Sequence, residues 1–279
     1  MRTASTKGVL RPAETAVQAR LRREHPVDRR LEPYVERYWT VEWDRRGQQP
    51  FRSEVLSHPC VNLSVEAGTG PHHGHALPAA LLHGVVTRRF SIDLAGTGRV
   101  VAAKFRPGGF TALTGHRVSP DAVVPLATAW GADADAVLRE VLAAPDLATG
   151  TQVLDAALAT RVDDDPDPAY LQLLEVVAAV LGDRTLVRVD DVAERTGTSV
   201  RSLQRLFHRY VGVGPKRVLQ RYRLQDAADL IDAGEVDDLA ALAADLGWFD
   251  QAHFSRDFRD AVGETPSAYL SRAREHQRR

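Results

Sequence analysis

One short pattern occurs twice in the last third of the chain, and it leaves few folds open. From Val189 to Phe207, a small residue (Ala193) is followed by a glycine (Gly197). A short side chain with an oxygen (Ser199) and an apolar stripe (Leu203, Leu206, Phe207) come next. From Leu239 to Phe258 the same roles fall to Ala243, Gly247, Asp250 and the pair Phe254 and Phe258. Two short helices that cross need a small residue where they touch and a glycine where the connection is tightest. Ser and Asp are preferred N-caps, and apolar residues three and four apart lie on one helix face. The spacing therefore predicts two helix-turn-helix units. The second turn is longer by one residue, with Trp248-Phe249 where the first unit has Thr198 alone.

Removing the inward positions leaves the outward face of each second helix. For the first this is Val200, Arg201, Gln204, Arg205 and His208; for the second, Gln251, Ala252, His253, Ser255 and Arg256. Arg can bond guanine through two hydrogen bonds, Gln can do the same with adenine, and a small apolar group meets the thymine methyl. From Arg195 to Gln225 the chain carries Arg201, Arg205, Arg209, Lys216, Arg217, Arg221 and Arg223 and no acidic residue. From Asp226 to Ser255 it carries only acids. The first unit is thus expected to bind phosphate strongly and the second more weakly. A helix from Pro215 to Asp232, closed by Gly234, joins them. At ~1.5 Å per residue it is ~27 Å long, a rod suited to holding two reading helices about one turn of DNA apart.

These residues resemble the AraC/XylS family of bacterial transcription regulators. The resemblance is carried by Ser199-Val-Arg-Ser-Leu-Gln-Arg-Leu-Phe207, Gly212-Val-Gly-Pro-Lys216 and Arg223-Leu-Gln-Asp-Ala-Ala-Asp-Leu-Ile231. The strongest block is Ala244 to Phe258, followed by Gly263-Glu-Thr-Pro-Ser-Ala-Tyr269. It covers Tyr170 to Arg274. Trp248 stands where Phe or Tyr is usual, and Leu270 where Arg is common. The resemblance implies base contacts from Arg201, Gln204, Arg205, Gln251, Ala252, His253 and Arg256. Ser199, Arg209 and Lys216 complete the expected DNA-binding set. It also implies double-stranded DNA as partner, a small-molecule effector, a homodimer and contact with RNA polymerase.

Composition bounds the rest. With 279 residues, 44% hydrophobic and 26% charged, the chain suits two globular domains. Net charge is only −1, so the evidence for nucleic acid is local. No apolar run reaches the ~20 residues that cross a bilayer, and no apolar segment follows Arg2 and Lys7, so a cytoplasmic location is expected. The expected fold class is α+β. Residues 1–30 read as a flexible basic tail. Residues 31–161 read as a β-barrel or jelly-roll-like sensor with a C-terminal helical pair, 162–168 as a linker and 169–279 as the DNA-binding domain.

The β reading rests on Tyr38–Trp43, Val61–Val65 and Arg99–Phe105. It resembles the sensor halves of an uncharacterised subgroup of the family through Trp39, His58-Pro-Cys-Val-Asn-Leu63 and Phe105-Arg-Pro-Gly-Gly109. Apolar stripes on Ala134–Leu142 and Thr151–Arg161 are expected to pair two protomers or to cover the barrel.

A competing chemistry is metal. His72, His73 and His75, with His58 and His83, could hold a transition metal in a barrel enzyme or metal sensor with an attached DNA-binding domain. No acid follows His73-Gly-His75, and the expectation is a polar surface loop, with no metal and no cofactor. Cys60, the only cysteine, excludes an internal disulfide and reads as buried packing. No nucleophile, base or phosphate loop stands in a catalytic spacing, so no enzyme activity is expected.

Overall fold

The computed structural model describes residues 10, 18–24, 28–163 and 165–277. Its N-terminal half contains strands β1 (Arg20–Glu24), β2 (Val35–Arg45), β3 (Phe51–Val55) and β4 (Asn62–Gly68). Strands β5 (Ala79–His83), β6 (Phe90–Leu94), β7 (Gly96–Phe105) and β8 (Val123–Pro125) follow. Six of them form an antiparallel sheet in the order β1-β2-β7-β4-β5-β8, and β3 pairs with β6 in a second, two-stranded sheet. The expected barrel is therefore not closed: it is a large sheet faced by a hairpin-like pair. Part of the expected tail is also structured, because Arg20–Glu24 pairs with Tyr38–Glu42 along the sheet edge. Arg29–Leu31 forms a short helical turn capped by Asp28, Leu10 is buried, and residues 1–9, 11–17 and 25–27 of that expectation lie outside the described residues.

Side chains alternate across a strand, so each strand feeds two layers. On β7, Val101, Ala103 and Phe105 join one core while Val100 and Ala102 join another. The first face is covered by α1 (Gly109–Thr114), α2 (Ala127–Trp130), α3 (Asp133–Ala143) and α4 (Leu147–Ala159). Ala134, Val137 and Val141 of α3, and Leu154 and Leu158 of α4, are buried in that core. The apolar stripes of this helical pair are thus used on their own sheet.

The C-terminal half is all helical: α5 (Pro168–Gly182), α6 (Val189–Arg195), α7 (Val200–Tyr210), α8 (Pro215–Asp232), α9 (Leu239–Asp245), α10 (Gln251–Val262) and α11 (Pro266–Gln277). No helix among the described residues is long and apolar enough to cross a membrane. Pro168 opens α5 behind Asp167, which accepts from the Ala169 amide at 2.9 Å.

One core cluster runs from the sheet into α5, α6, α7 and α8. At its centre the Tyr170 hydroxyl donates to the Pro33 carbonyl at 2.6 Å, and its ring stacks on Tyr34 at 5.5 Å. The Arg106-Pro-Gly-Gly109 segment fits beside it. Gly108 has φ +80°, and a Cβ there would lie 2.7 Å from Cβ of Tyr210 and 2.9 Å from Leu173. Gly115 has a similar φ of +71° with nothing within 4 Å. Gly115→Ala should therefore cost only the left-handed backbone term, ~1–2 kcal/mol. Gly108→Ala adds a steric clash across the two halves and should cost at least twice as much in urea unfolding. Equal costs would show that the seam yields freely there.

Candidate functional site

Both helix-turn-helix units form from the residues that the spacing indicates. In the first, Gly197 makes the turn at φ +62°, and Ser199 caps α7 by accepting from the Ser202 amide at 3.2 Å. Leu203, Leu206, Phe207 and Tyr210 face inward. In the second, Gly247 turns at φ +77°, and Asp250 caps α10 by accepting from the His253 amide at 2.6 Å. Phe254 and Phe258 are fully buried, 5.5 Å apart, and Phe258 continues onto Tyr269 at 5.6 Å. Leu270 is also buried, where it packs in this cluster.

The additional turn residue has a structural use. Trp248 is buried against Phe254 at 4.9 Å, donates from Nε1 to Asp257 at 2.8 Å, and lies 3.9 Å beneath the Arg223 guanidinium. Phe249 beside it is 93% exposed.

Arg201, Gln204 and Arg205 lie exposed on α7, and Gln251, Ala252 and Arg256 lie exposed on α10. Among the described residues the polar members of these two sets meet no side-chain hydrogen-bond or ion-pair partner. His253 is exposed, with Nε2 3.4 Å from Asp257. Lys216 is exposed at the start of α8. Arg209 is placed differently. It pairs with Asp167 at 2.9 Å and lies over the Tyr210 ring at 4.8 Å. The Tyr210 hydroxyl also donates to Asp167, and this bond, with the neighbouring amides and Arg209, holds the Asp167 carboxyl below the usual range. The basic run is not one solvated face either. Arg223 donates to the Leu246 carbonyl at 2.6 Å, and Arg221 is buried.

In the N-terminal half a cavity of about 190 Å³ opens between the large sheet and the β3–β6 pair. Trp39, Val41, Trp43, Phe90, Ile92 and Leu94 are among its walls. The histidine loop is not a plain surface feature: His72 is buried, and His73 and His83 line this cavity. Their acid lies upstream, on β4. Glu66 meets Nδ1 of His72 at 2.5 Å and Nε2 of His83 at 3.2 Å, and accepts from the Ser64 hydroxyl at 2.5 Å. Burial alone would raise the Glu66 pKa, but these hydrogen bonds outweigh it and hold the carboxyl far below its ordinary value. His73, with less compensation, is pulled from 6.5 to about 4 by burial. Among the described residues no group of three or more His, Cys, Asp or Glu side chains is arranged to hold a metal ion. Cys60 is buried, and burial pushes its thiol up to about 11.

Residues 192–272 match the family described as a helix-turn-helix domain, and residues 23–120 match a domain of unknown function (DUF6597). The chain is similar to HTH-type transcriptional regulators. It is 31% identical over 115 residues to the uncharacterized HTH-type transcriptional regulator YidL of Escherichia coli, covering 41% of this chain and 38% of that one. It is 28% identical over 125 residues to the regulatory protein PocR of Salmonella typhimurium, covering 45% and 40%. The chain spans two-fifths or less of the length of these relatives. Among solved structures, ToxT from Vibrio cholerae aligns over 91% of this chain and 97% of its own, at 15% identity and a TM-score of 0.42.

Beyond the shared core, side chains that bond to backbone hold the helical half to the β half. From α8, the Arg221 guanidinium donates to the carbonyls of Val86 at 2.9 Å and Arg88 at 2.6 Å, and Gln225 donates to that of Leu56 at 2.9 Å. The Tyr222 ring meets His58 edge-on at 5.9 Å. In the other direction Arg89 donates to the Val262 carbonyl at 3.2 Å. Ser57, His58, Val86 and Phe90 also line the cavity. Two loops therefore face the cavity on one side and α8 on the other.

His73 makes stability depend on pH. The lowered His73 value means that the unfolded chain takes up a proton first, so stability is full above pH 6.5 and falls toward pH 4. The lowered Glu66 carboxyl acts in the same direction at still lower pH. The thermal midpoint should fall on acidification, and His73→Phe should flatten the part between pH 6.5 and 4. An unchanged slope in that variant would remove His73 as a cause.

Proposed function

We propose that this protein is a sequence-specific transcription regulator whose AraC-type domain reads two major-groove segments and whose β half binds a small effector. The observation that carries the reading is the pair of capped second helices. Each presents base-reading side chain types outward and uncommitted, with an 18-residue helix between the units. On this reading Arg201, Gln204 and Arg205 contact bases from α7, and Gln251, Ala252, His253 and Arg256 from α10. Ser199 and Lys216 contact phosphate. Arg209 reaches DNA only by leaving Asp167, and is better suited to fixing the start of α5 against α7.

On this reading residues 31–161 with β1 are the sensor, 162–168 the linker and 169–279 the reader. Occupation of the cavity would be felt by α8 through the two shared loops. Because the apolar faces of α3 and α4 cover their own sheet, a homodimer would have to use other faces of that pair.

Operators selected from random duplexes and footprinted should show two protected segments about one helical turn apart per protomer. One protected groove per protomer would overturn the two-unit reading. Arg205→Ala or Gln204→Ala should cost ~1–3 kcal/mol and relax base choice at one position. Lys216→Ala should weaken binding to all duplexes alike and lower the salt slope by ~1. If Arg205→Ala leaves specific affinity unchanged, the groove assignment is wrong.

A further inference from the structure

The cavity has a chemical signature of its own. Its walls are apolar and aromatic, and its volume of about 190 Å³ is close to that of an engineered ~150 Å³ apolar cavity that accepts benzene. Charges near it balance. Lys104, whose side chain is buried, lies 2.8 Å from Glu36, and Arg37 lies 3.3 Å from the same carboxylate. The second carboxylate, Glu66, is on the cavity wall. Two cations and two carboxylates leave no net charge to offset the desolvation of a buried ionic ligand.

Hydrogen-bonding capacity lies instead on imidazoles of the wall, of which His73 and His83 meet each other. The Ser64 hydroxyl has one proton and donates it to Glu66, so His83 Nε2, 2.8 Å from that hydroxyl, is the donor of the pair. With its donor at Nε2, His83 presents Nδ1 as its remaining nitrogen. It is buried without a partner among the described residues, and so is His73 Nε2. The two rings meet edge-on at 5.2 Å, and both pack on Phe90, at 5.0 Å for His73 and 5.9 Å for His83. Burial keeps His73 neutral at physiological pH, able to offer an N–H. A hydroxyl can donate to one nitrogen while accepting from the other. A carboxylate can only accept, and it would face the Glu66 charge.

Resting on the reading of the β half as a sensor, we infer that its effector is a small neutral aromatic alcohol or phenol, with its ring between Trp39, Trp43 and Phe90 and its hydroxyl between His73 and His83.

Three probes that differ only in the para substituent separate the possibilities: 4-propylphenol, propylbenzene and 4-propylbenzoate. They are titrated into the full chain at pH 7.5 and followed by tryptophan fluorescence, since Trp39 and Trp43 are on the wall. The phenol should bind about tenfold more tightly than either of the others, the worth of one or two buried hydrogen bonds. His73→Phe, which keeps packing on Phe90 but removes the nitrogen, should bring the phenol close to propylbenzene. Propylbenzoate binding as well as or better than the phenol overturns the inference, as does propylbenzene matching it in the unsubstituted protein. Failure of all three to bind overturns it too. A gel shift on the selected operator without any probe keeps the two readings apart. It reports on the regulator alone, and can succeed when every probe fails.

Discussion

A buried guanidinium with backbone partners ties this molecule together. Arg221 belongs to the helix that spaces the two DNA-reading units, yet it bonds to the carbonyls of Val86 and Arg88 in the β half. Among the described residues no carboxylate pairs with it. Burial pulls its pKa down to about 10, which leaves it charged at neutral pH. A buried cation without an ionic partner is tolerable only while its hydrogen bonds hold, since losing them exposes the full desolvation cost. The contact therefore behaves as made or unmade. Gln225, Tyr222 and Arg89 reinforce it from neighbouring turns and loops. The rod between the two helix-turn-helix units is consequently also tied directly to the β half.

The helical half was legible because its signals are local. A cap, a turn glycine and a 3.6-residue stripe each involve residues within one or two turns, and Ser199, Gly197, Asp250 and Gly247 perform the parts that their types suggest. Charge was read less well. A run of arginines looks like a solvated face, but Arg221 and Arg223 turn inward because carbonyls and the Trp248 ring, distant in sequence, receive them. Only Trp248, where Phe or Tyr is usual, hinted that the second turn held a buried ring. The β half was recognised by type, whereas its pairing was not. β1 is hidden by its own charges, Arg20, Arg22, Arg23 and Glu24, which suit an edge strand as well as a tail. The acid that serves the histidine loop was sought downstream of His75 and stands upstream at Glu66, brought close when the chain turns back between β4 and β5.

The two reading units differ in how they are supported. α7 packs against the continuous core that reaches into the β sheet, next to Tyr170, Tyr210 and Gly108. α10 sits in a separate cluster with Trp248, Phe258 and Tyr269, which meets the N-terminal half chiefly through Leu10 and Leu56. The basic unit is thus fixed to the β half by packing, and the acidic one is joined to it through α8 and a few loop contacts. Movement between the halves would displace the second unit more readily than the first.

Most of the acceptors that join the halves are main-chain oxygens: Val86, Arg88, Leu56, Val262 and Pro33. A peptide carbonyl is the same whatever side chain its residue bears. The join thus specifies the path of the chain rather than the identity of its residues, and leaves the side chains of the cavity wall open to substitution. Substitutions confined to the cavity wall therefore leave these contacts between the two halves intact.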